Sequence, residues 1–195
     1  GGLCIADEVQ IGFGRMGEYF WGFESQGLKP DIITLGKSIG NGHPISVVVT
    51  NDDIADRFKN GMEYFNSFGG NPVSCAIGHA VIDIIDEEAL QKNALQVGNN
   101  LFSMLLDLKD KYDLIGDVRG KGLFLGIEII DRSASSLTPD EKAAKEIVNL
   151  MKENGILLST DGPDHNVIKI KPPMVFNDEN ALFFVETLDK ILIKY

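Results

Sequence analysis

The sequence predicts an α/β fold over its first half and an α+β arrangement over its second. Short apolar runs at 3–6, 31–35 and 45–50, bounded by Gly and Pro, are too short for buried helices and read as strands of an α/β sheet. Beyond Gly116 the texture changes to short strands alternating with amphipathic, capped helical stretches.

The elements follow in order. The run at 3–6 ends in Asp7-Glu8, the run at 31–35 ends at Gly36-Lys37, and the run at 45–50 is rich in β-branched residues. Asn71-Pro72 opens a helix over 73–86, since Pro suits a position whose N–H has no intrahelical partner. A second helical stretch covers 88–112, with Leu101, Leu105 and Leu108 recurring on one face. Asp117 to Gly122 reads as a turn and 123–130 as a strand. Thr138 is the expected cap of a helix over 139–154 that Gly155 closes. Short strands at 156–159 and 167–170 precede a last helix over 178–194, capped by Asn177 or Asp178. The domain boundary is placed near residue 95, giving domains 1–95 and 96–195.

Composition narrows the function. A chain of 195 residues, 44% hydrophobic and 24% charged, can bury a core, and its net charge of −11 disfavours nucleic acid or an anionic membrane as partner. Only two cysteines occur, Cys4 and Cys75, without metal-ligand spacing, so a reducing, cytoplasmic location is expected. The three histidines, His43, His79 and His165, are scattered, and no metal site is expected. The chain opens on Gly1-Gly2 and passes at once into an apolar strand, which suggests a piece cut within a domain.

Functional groups in α/β sheets gather beyond the strand C-termini, where Asp7 and Lys37 both stand. Taken singly, Lys37 reads as the start of a solvent-facing loop, and Asp7-Glu8 as a turn cap or a metal ligand. Taken together they match one cofactor. Pyridoxal 5'-phosphate (PLP) needs a carboxylate to keep its ring nitrogen protonated and a lysine to hold its aldehyde.

The segment Ala6-Asp7-Glu8-Val9-Gln10-Ile11-Gly12-Phe13-Gly14-Arg15 resembles a motif of the class III aminotransferases. So do Pro30-Asp31-Ile32-Ile33-Thr34-Leu35-Gly36-Lys37 with Gly40-Asn41-Gly42-His43-Pro44, then Asn66-Ser67-Phe68-Gly69-Gly70-Asn71-Pro72, and Val118-Arg119-Gly120-Lys121-Gly122-Leu123. The resemblance covers the whole chain. It implies part of a PLP-dependent transferase large domain, with a mixed, mostly parallel sheet, plus a small C-terminal domain. It implies that Lys37 is the Schiff-base lysine, that Asp7 pairs with the ring nitrogen, that Val9 packs on a ring face, and that Gln10 approaches the ring hydroxyl. Ser67 stands where the family usually has Thr, and its hydroxyl would reach the phosphate bound in the neighbouring subunit, so a homodimer with shared active sites is implied. Gly69 and Gly70 would let backbone approach that phosphate. The family's N-terminal half, with its phosphate-cradling loop, does not precede Gly1, so this piece alone is expected to bind PLP weakly and to be inactive.

One departure bears on the substrate, a small-molecule amine. In Val167-Ile168-Lys169-Ile170-Lys171-Pro172-Pro173, Lys169 occupies a place where many members have an arginine that binds the α-carboxylate. Lysine is a point charge and not a bidentate fork. Arg119 reads first as a brace of the small domain and second as a candidate for a substrate anion. The segments Glu63-Tyr64-Phe65-Asn66-Ser67-Phe68, Pro72-Val73-Ser74-Cys75-Ala76 and Leu157-Leu158-Ser159-Thr160-Asp161-Gly162-Pro163 are similar to the subgroup containing ethanolamine-phosphate phospho-lyase. Transamination is the family default, elimination of phosphate from an O-phosphorylated amino alcohol is the alternative, and a non-catalytic dimerisation module is a third possibility.

Overall fold

In the computed structural model, which describes residues 1–133 and 137–195, the chain divides into two units, Gly1–Gln91 and Lys92–Tyr195.

The sheet of the first unit has the order β1 (Ile5–Asp7), β2 (Ile32–Leu35), β3 (Val47–Thr50). β1 and β2 run parallel, with Asp7 opposite Thr34, and β3 returns antiparallel to β2. A parallel pair needs a long crossover. Here the crossover holds an edge-to-face cluster of Phe13, Phe20 and Trp21, with ring centroids 4.8 to 5.7 Å apart, and a short 3-10 helix, Gly22–Gln26. The aromatic residues are therefore packed against one another. Beyond β3, α1 (Asp52–Phe58) starts at Asn51, whose side chain accepts a hydrogen bond from the Ile54 amide at 3.0 Å. The sequence reading passes over α1 because it buries no residue and shows no apolar stripe. α2 (Pro72–Glu87) begins at the expected Asn71 cap, with Pro72 in the first turn.

In the second unit the sheet order is β4 (Ile115–Lys121), β5 (Phe124–Ile129), β7 (Val167–Ile170), β6 (Ser159–Asp161), with every neighbouring pair antiparallel. α3 (Leu90–Lys111), α4 (Glu141–Glu153) and α5 (Asp178–Leu192) supply the helical side of its core. Alternation decides the faces: Leu125, Ile127 and Ile129 of β5 and Ile168 and Ile170 of β7 are buried, joined by Leu101 and Leu105 of α3 and Ile147 and Met151 of α4. Glu128 and Lys169 fall on the opposite, open face.

Three local readings are corrected. Residues 117–121, expected as a turn, are strand. Val118 points inward while Asp117 and Arg119 occupy the other face, an alternation that the flanking glycines obscure, and the turn itself is confined to Gly122 and its neighbours. α4 is capped by Asp140, whose carboxylate accepts from the Ala143 amide at 2.9 Å, and not by Thr138, because Pro139 bridges back to Ile130 as an extended residue. The strand expected at 156–159 lies later, at Ser159–Asp161.

Gly98 of α3 packs against the β4–β5 turn: a Cβ there would lie 2.4 Å from the Gly122 carbonyl. The obstacle is backbone, so it cannot rotate away. Gly98→Ala is expected to destabilise the protein by about 1–3 kcal/mol, measured as a lower urea midpoint with unchanged far-UV circular dichroism of the native state.

Candidate functional site

In the first unit the parallel pairing sends the C-terminal ends of β1 and β2 to one edge of the sheet. Asp7 is the last residue of β1, and Lys37 lies just beyond β2, after Gly36. The Asp7 carboxylate is held by its surroundings, with Oδ1 accepting from the Val9 amide at 3.1 Å and from the Thr34 hydroxyl at 3.5 Å. Val9 folds back over the same edge, its two methyl groups 3.4 and 3.5 Å from where a side chain on Gly36 would begin. Asp7 and Lys37 are exposed, and among the described residues neither enters an ion pair. Gln10 follows, half-buried.

The backbone at Lys37 is unusual. It has φ +39°, in the left-handed region that non-glycine residues rarely adopt. The 3-10 turn Lys37–Ile39 is closed by Gly40 and Asn41 amides donating to the Lys37 carbonyl at 3.2 and 3.1 Å. A lysine placed on a strained turn at a strand end is a reason to suspect function there.

Ser67 sits in the loop leading to α2. Its hydroxyl is exposed, and among the described residues no hydrogen bond joins it to Asp7, Val9 or Lys37. The loop has its own framework: Asn66 Oδ1 accepts from the Phe68 and Gly69 amides at 3.1 and 3.0 Å, and Asn71 Nδ2 donates to the Phe68 carbonyl at 2.7 Å.

Glu8 is the residue that sequence reasoning missed. It is 1% exposed, and its two oxygens accept from the Gly22 and Phe23 amides at 2.7 and 2.8 Å. A buried carboxylate is costly unless hydrogen-bonded, and here it closes the start of the 3-10 helix while its own amide donates to the Thr34 carbonyl at 3.0 Å. The available signal was the period of two along a strand, which turns Asp7 and Glu8 to opposite sides. Treating the pair as one acidic site hid that division.

In the second unit Arg119 and Lys169 come together. The register pairs Arg119 with Gly126 and Gly126 with Lys169, so the two cations share the open face with a residue lacking a side chain between them. They line a cleft of about 340 Å³. Both are already engaged: Lys169 Nζ donates to Asp161 at 2.6 Å, and Arg119 pairs with Glu128 and with Asp117. The carboxylates of Glu128 and Asp117 push the Arg119 guanidinium further up, and the Lys169 bond holds the Asp161 carboxyl below its usual range. An incoming anion would have to exchange with these carboxylates.

Among the described residues no group of three His, Cys, Asp or Glu side chains is arranged to hold a metal, and no helix is long and apolar enough to cross a membrane.

The family model for class-III aminotransferases matches residues 1–192. An "alanine–glyoxylate aminotransferase 2-like" protein of Drosophila melanogaster is 54% identical over 183 residues, covering 93% of this chain and 37% of that protein. An "ethanolamine-phosphate phospho-lyase homolog 1" of Caenorhabditis elegans is 46% identical over 195 residues, covering 98% of this chain and 42% of that protein. Among solved structures, an Arthrobacter phospholyase in complex with phosphoethanolamine superposes with a TM-score of 0.94 at 41% identity, covering 100% of this chain and 46% of that one. The chain thus spans 37% and 42% of the length of these two curated relatives.

The Lys169–Asp161 pair sets a pH dependence with a definite sign. A carboxyl lowered in the folded state adds stability above the ordinary aspartate pKa, and that stability is lost as pH falls through the lowered value. Followed by carbon NMR, Asp161 is expected to titrate below an unpaired aspartate in the wild-type protein and to move upward in Lys169→Ala.

Proposed function

This chain belongs to the class-III aminotransferases, and on that premise we propose that, in the full-length protein, Asp7 and Lys37 grip opposite sides of a PLP ring and act on a primary amine. The family uses pyridoxal 5'-phosphate. The observation that carries the reading is the parallel register, which brings an oriented carboxylate and a lysine that enters no ion pair among the described residues to neighbouring strand ends, with the Val9 methyl groups at the same edge. This donor set fits the group: an anion for the ring nitrogen, an amine for the aldehyde, and an apolar surface for the ring face.

When bound, PLP supplies an electron-poor ring that stabilises negative charge on the substrate carbon next to nitrogen. Asp7 holds the proton on the ring nitrogen. Lys37 Nζ would hold the aldehyde and, when free, would take the proton from the substrate carbon next to nitrogen. Val9 orients the ring and Gln10 meets its hydroxyl. The Ser67 hydroxyl serves the phosphate bound in the neighbouring subunit, which makes the protein a homodimer in this reading. Arg119 and Lys169 are the second unit's candidates for a substrate anion, which would exchange with their carboxylates. Residues 1–95 form the C-terminal part of the cofactor-binding domain and 96–195 the small domain, a reading that the division after Gln91 supports. Cys4 and Cys75 are free thiols, in keeping with a reducing compartment, the cytoplasm in our reading.

Transamination is the primary reaction proposed. Phosphate elimination is the second reading. It is favoured by a lysine at 169, where a guanidinium fork would grip a carboxylate, and by the structural likeness to the phospholyase. Incubation of the full-length protein with PLP, phosphoethanolamine and a 2-oxo acid separates them. Amine transfer to a 2-oxo acid acceptor without phosphate release supports the transaminase. Phosphate, ammonia and acetaldehyde in equal amounts establish the lyase. In either case Lys37→Ala is expected to lose more than about a thousandfold in rate, and full activity in that variant would refute the assignment of Lys37.

A further inference from the structure

We propose that His43 is a positioning residue for the cofactor site: through Ser74 and Asn71 it locks the turn that carries Lys37 to the loop that carries Ser67. The inference rests on the reading of Lys37 and Ser67 given above and goes beyond it, because that reading gives His43 no role.

The turn after β2 holds two non-glycine residues at positive φ. Lys37 at φ +39°, Asn41 at +44° and Gly42 at +103° all lie at positive φ. Its internal bonds are short-range, from the Gly40 amide to the Lys37 carbonyl at 3.2 Å and from the His43 amide to the Gly40 carbonyl at 2.9 Å. Strained segments persist only where their surroundings hold them. The turn is also tightly closed, since a Cβ on Gly40 would lie 2.1 Å from the His43 carbonyl. A shift of His43 is therefore passed on to Gly40 and to Lys37.

What holds His43 is α2. Its Nε2 lies 2.8 Å from the hydroxyl of Ser74, which is 8% exposed. The same hydroxyl accepts from Asn71 Nδ2 at 2.9 Å, and Asn71 Oδ1 accepts from the Ser74 amide at 2.9 Å. Asn71 Nδ2 also donates to the carbonyl of Phe68, the residue after Ser67, at 2.7 Å. A continuous path of hydrogen bonds thus runs from the lysine turn to the Ser67 loop. With the ring proton on Nδ1, the Ser74 hydroxyl donates to Nε2 and accepts from Asn71, so each group in the path is used. α2 touches the turn a second time at Gly78, whose open face admits Ile39 and Ile45, at 3.7 and 3.6 Å from a hypothetical Cβ. Ser74 is thus the polar node of an otherwise apolar contact.

The test uses the full-length protein and measures the PLP dissociation constant by visible absorbance, alongside urea unfolding of the cofactor-free form. His43→Leu and Ser74→Ala are each expected to weaken PLP roughly five- to tenfold, as loss of one partly buried hydrogen bond does. The double variant is expected to be no worse than either single, because both cut the same path. His43→Gln, which places an amide within the same reach, is expected to recover most of the affinity. A purely structural histidine would lower the urea midpoint and leave the affinity of the folded protein unchanged. Unchanged affinity in His43→Leu and Ser74→Ala, or additive losses in the double variant, overturns the inference while leaving Lys37 in place. Absence of PLP absorbance that Lys37→Ala abolishes overturns the reading of Lys37 and this inference with it.

Discussion

The site depends on one pairing, the parallel ladder that sets Asp7 against Thr34. Parallel strands end at the same edge, so an acid that ends β1 and an amine that follows β2 are brought to one edge of the sheet although a whole crossover separates them in sequence. An antiparallel pair would send them to opposite edges. Register matters as much as direction. A slip by one residue would exchange the faces of Asp7 and Glu8, burying the carboxylate that is exposed and exposing the one that the Gly22 and Phe23 amides require. The buried carboxylate of Glu8 therefore enforces the placement of Asp7: only one alignment satisfies both acids.

Two adjacent acids thus have different tasks. Glu8 is satisfied by backbone donors and anchors the crossover, while Asp7 keeps only a light hold on Val9 and Thr34 and leaves an oxygen for another partner. The second unit follows a contrasting rule. Arg119 and Lys169, two cations of its open face, are neutralised by Asp117, Glu128 and Asp161 on the same face. Such partly exposed pairs add little stability.

Much of this was legible in the sequence. The strand ends at Asp7 and Lys37, the Asn71-Pro72 helix start and the leucine stripe of α3 follow from apolar period, proline geometry and capping chemistry, all of which are local. The rest depends on partners distant in the chain. Glu8 could not be told from Asp7 without asking which face of the strand meets Gly22. Arg119 and Lys169 could not be placed side by side without the register through Gly126. Their ion pairs with Glu128 and Asp161 are cross-strand consequences of that register. The path from His43 to Phe68 joins segments whose closeness only the packing of α2 decides. Local misreadings had separate causes: glycines hid the alternation of β4, and α1 lacks the apolar stripe by which helices are recognised.

The central claim is that Lys37 is the amine that holds the cofactor. Reduction of the PLP-loaded full-length protein with borohydride, followed by proteolysis and mass spectrometry, tests it directly. The account predicts a phosphopyridoxyl group on the peptide containing Lys37 and nowhere else in stoichiometric amount. A stoichiometric label on another lysine, with Lys37 unmodified, would contradict it.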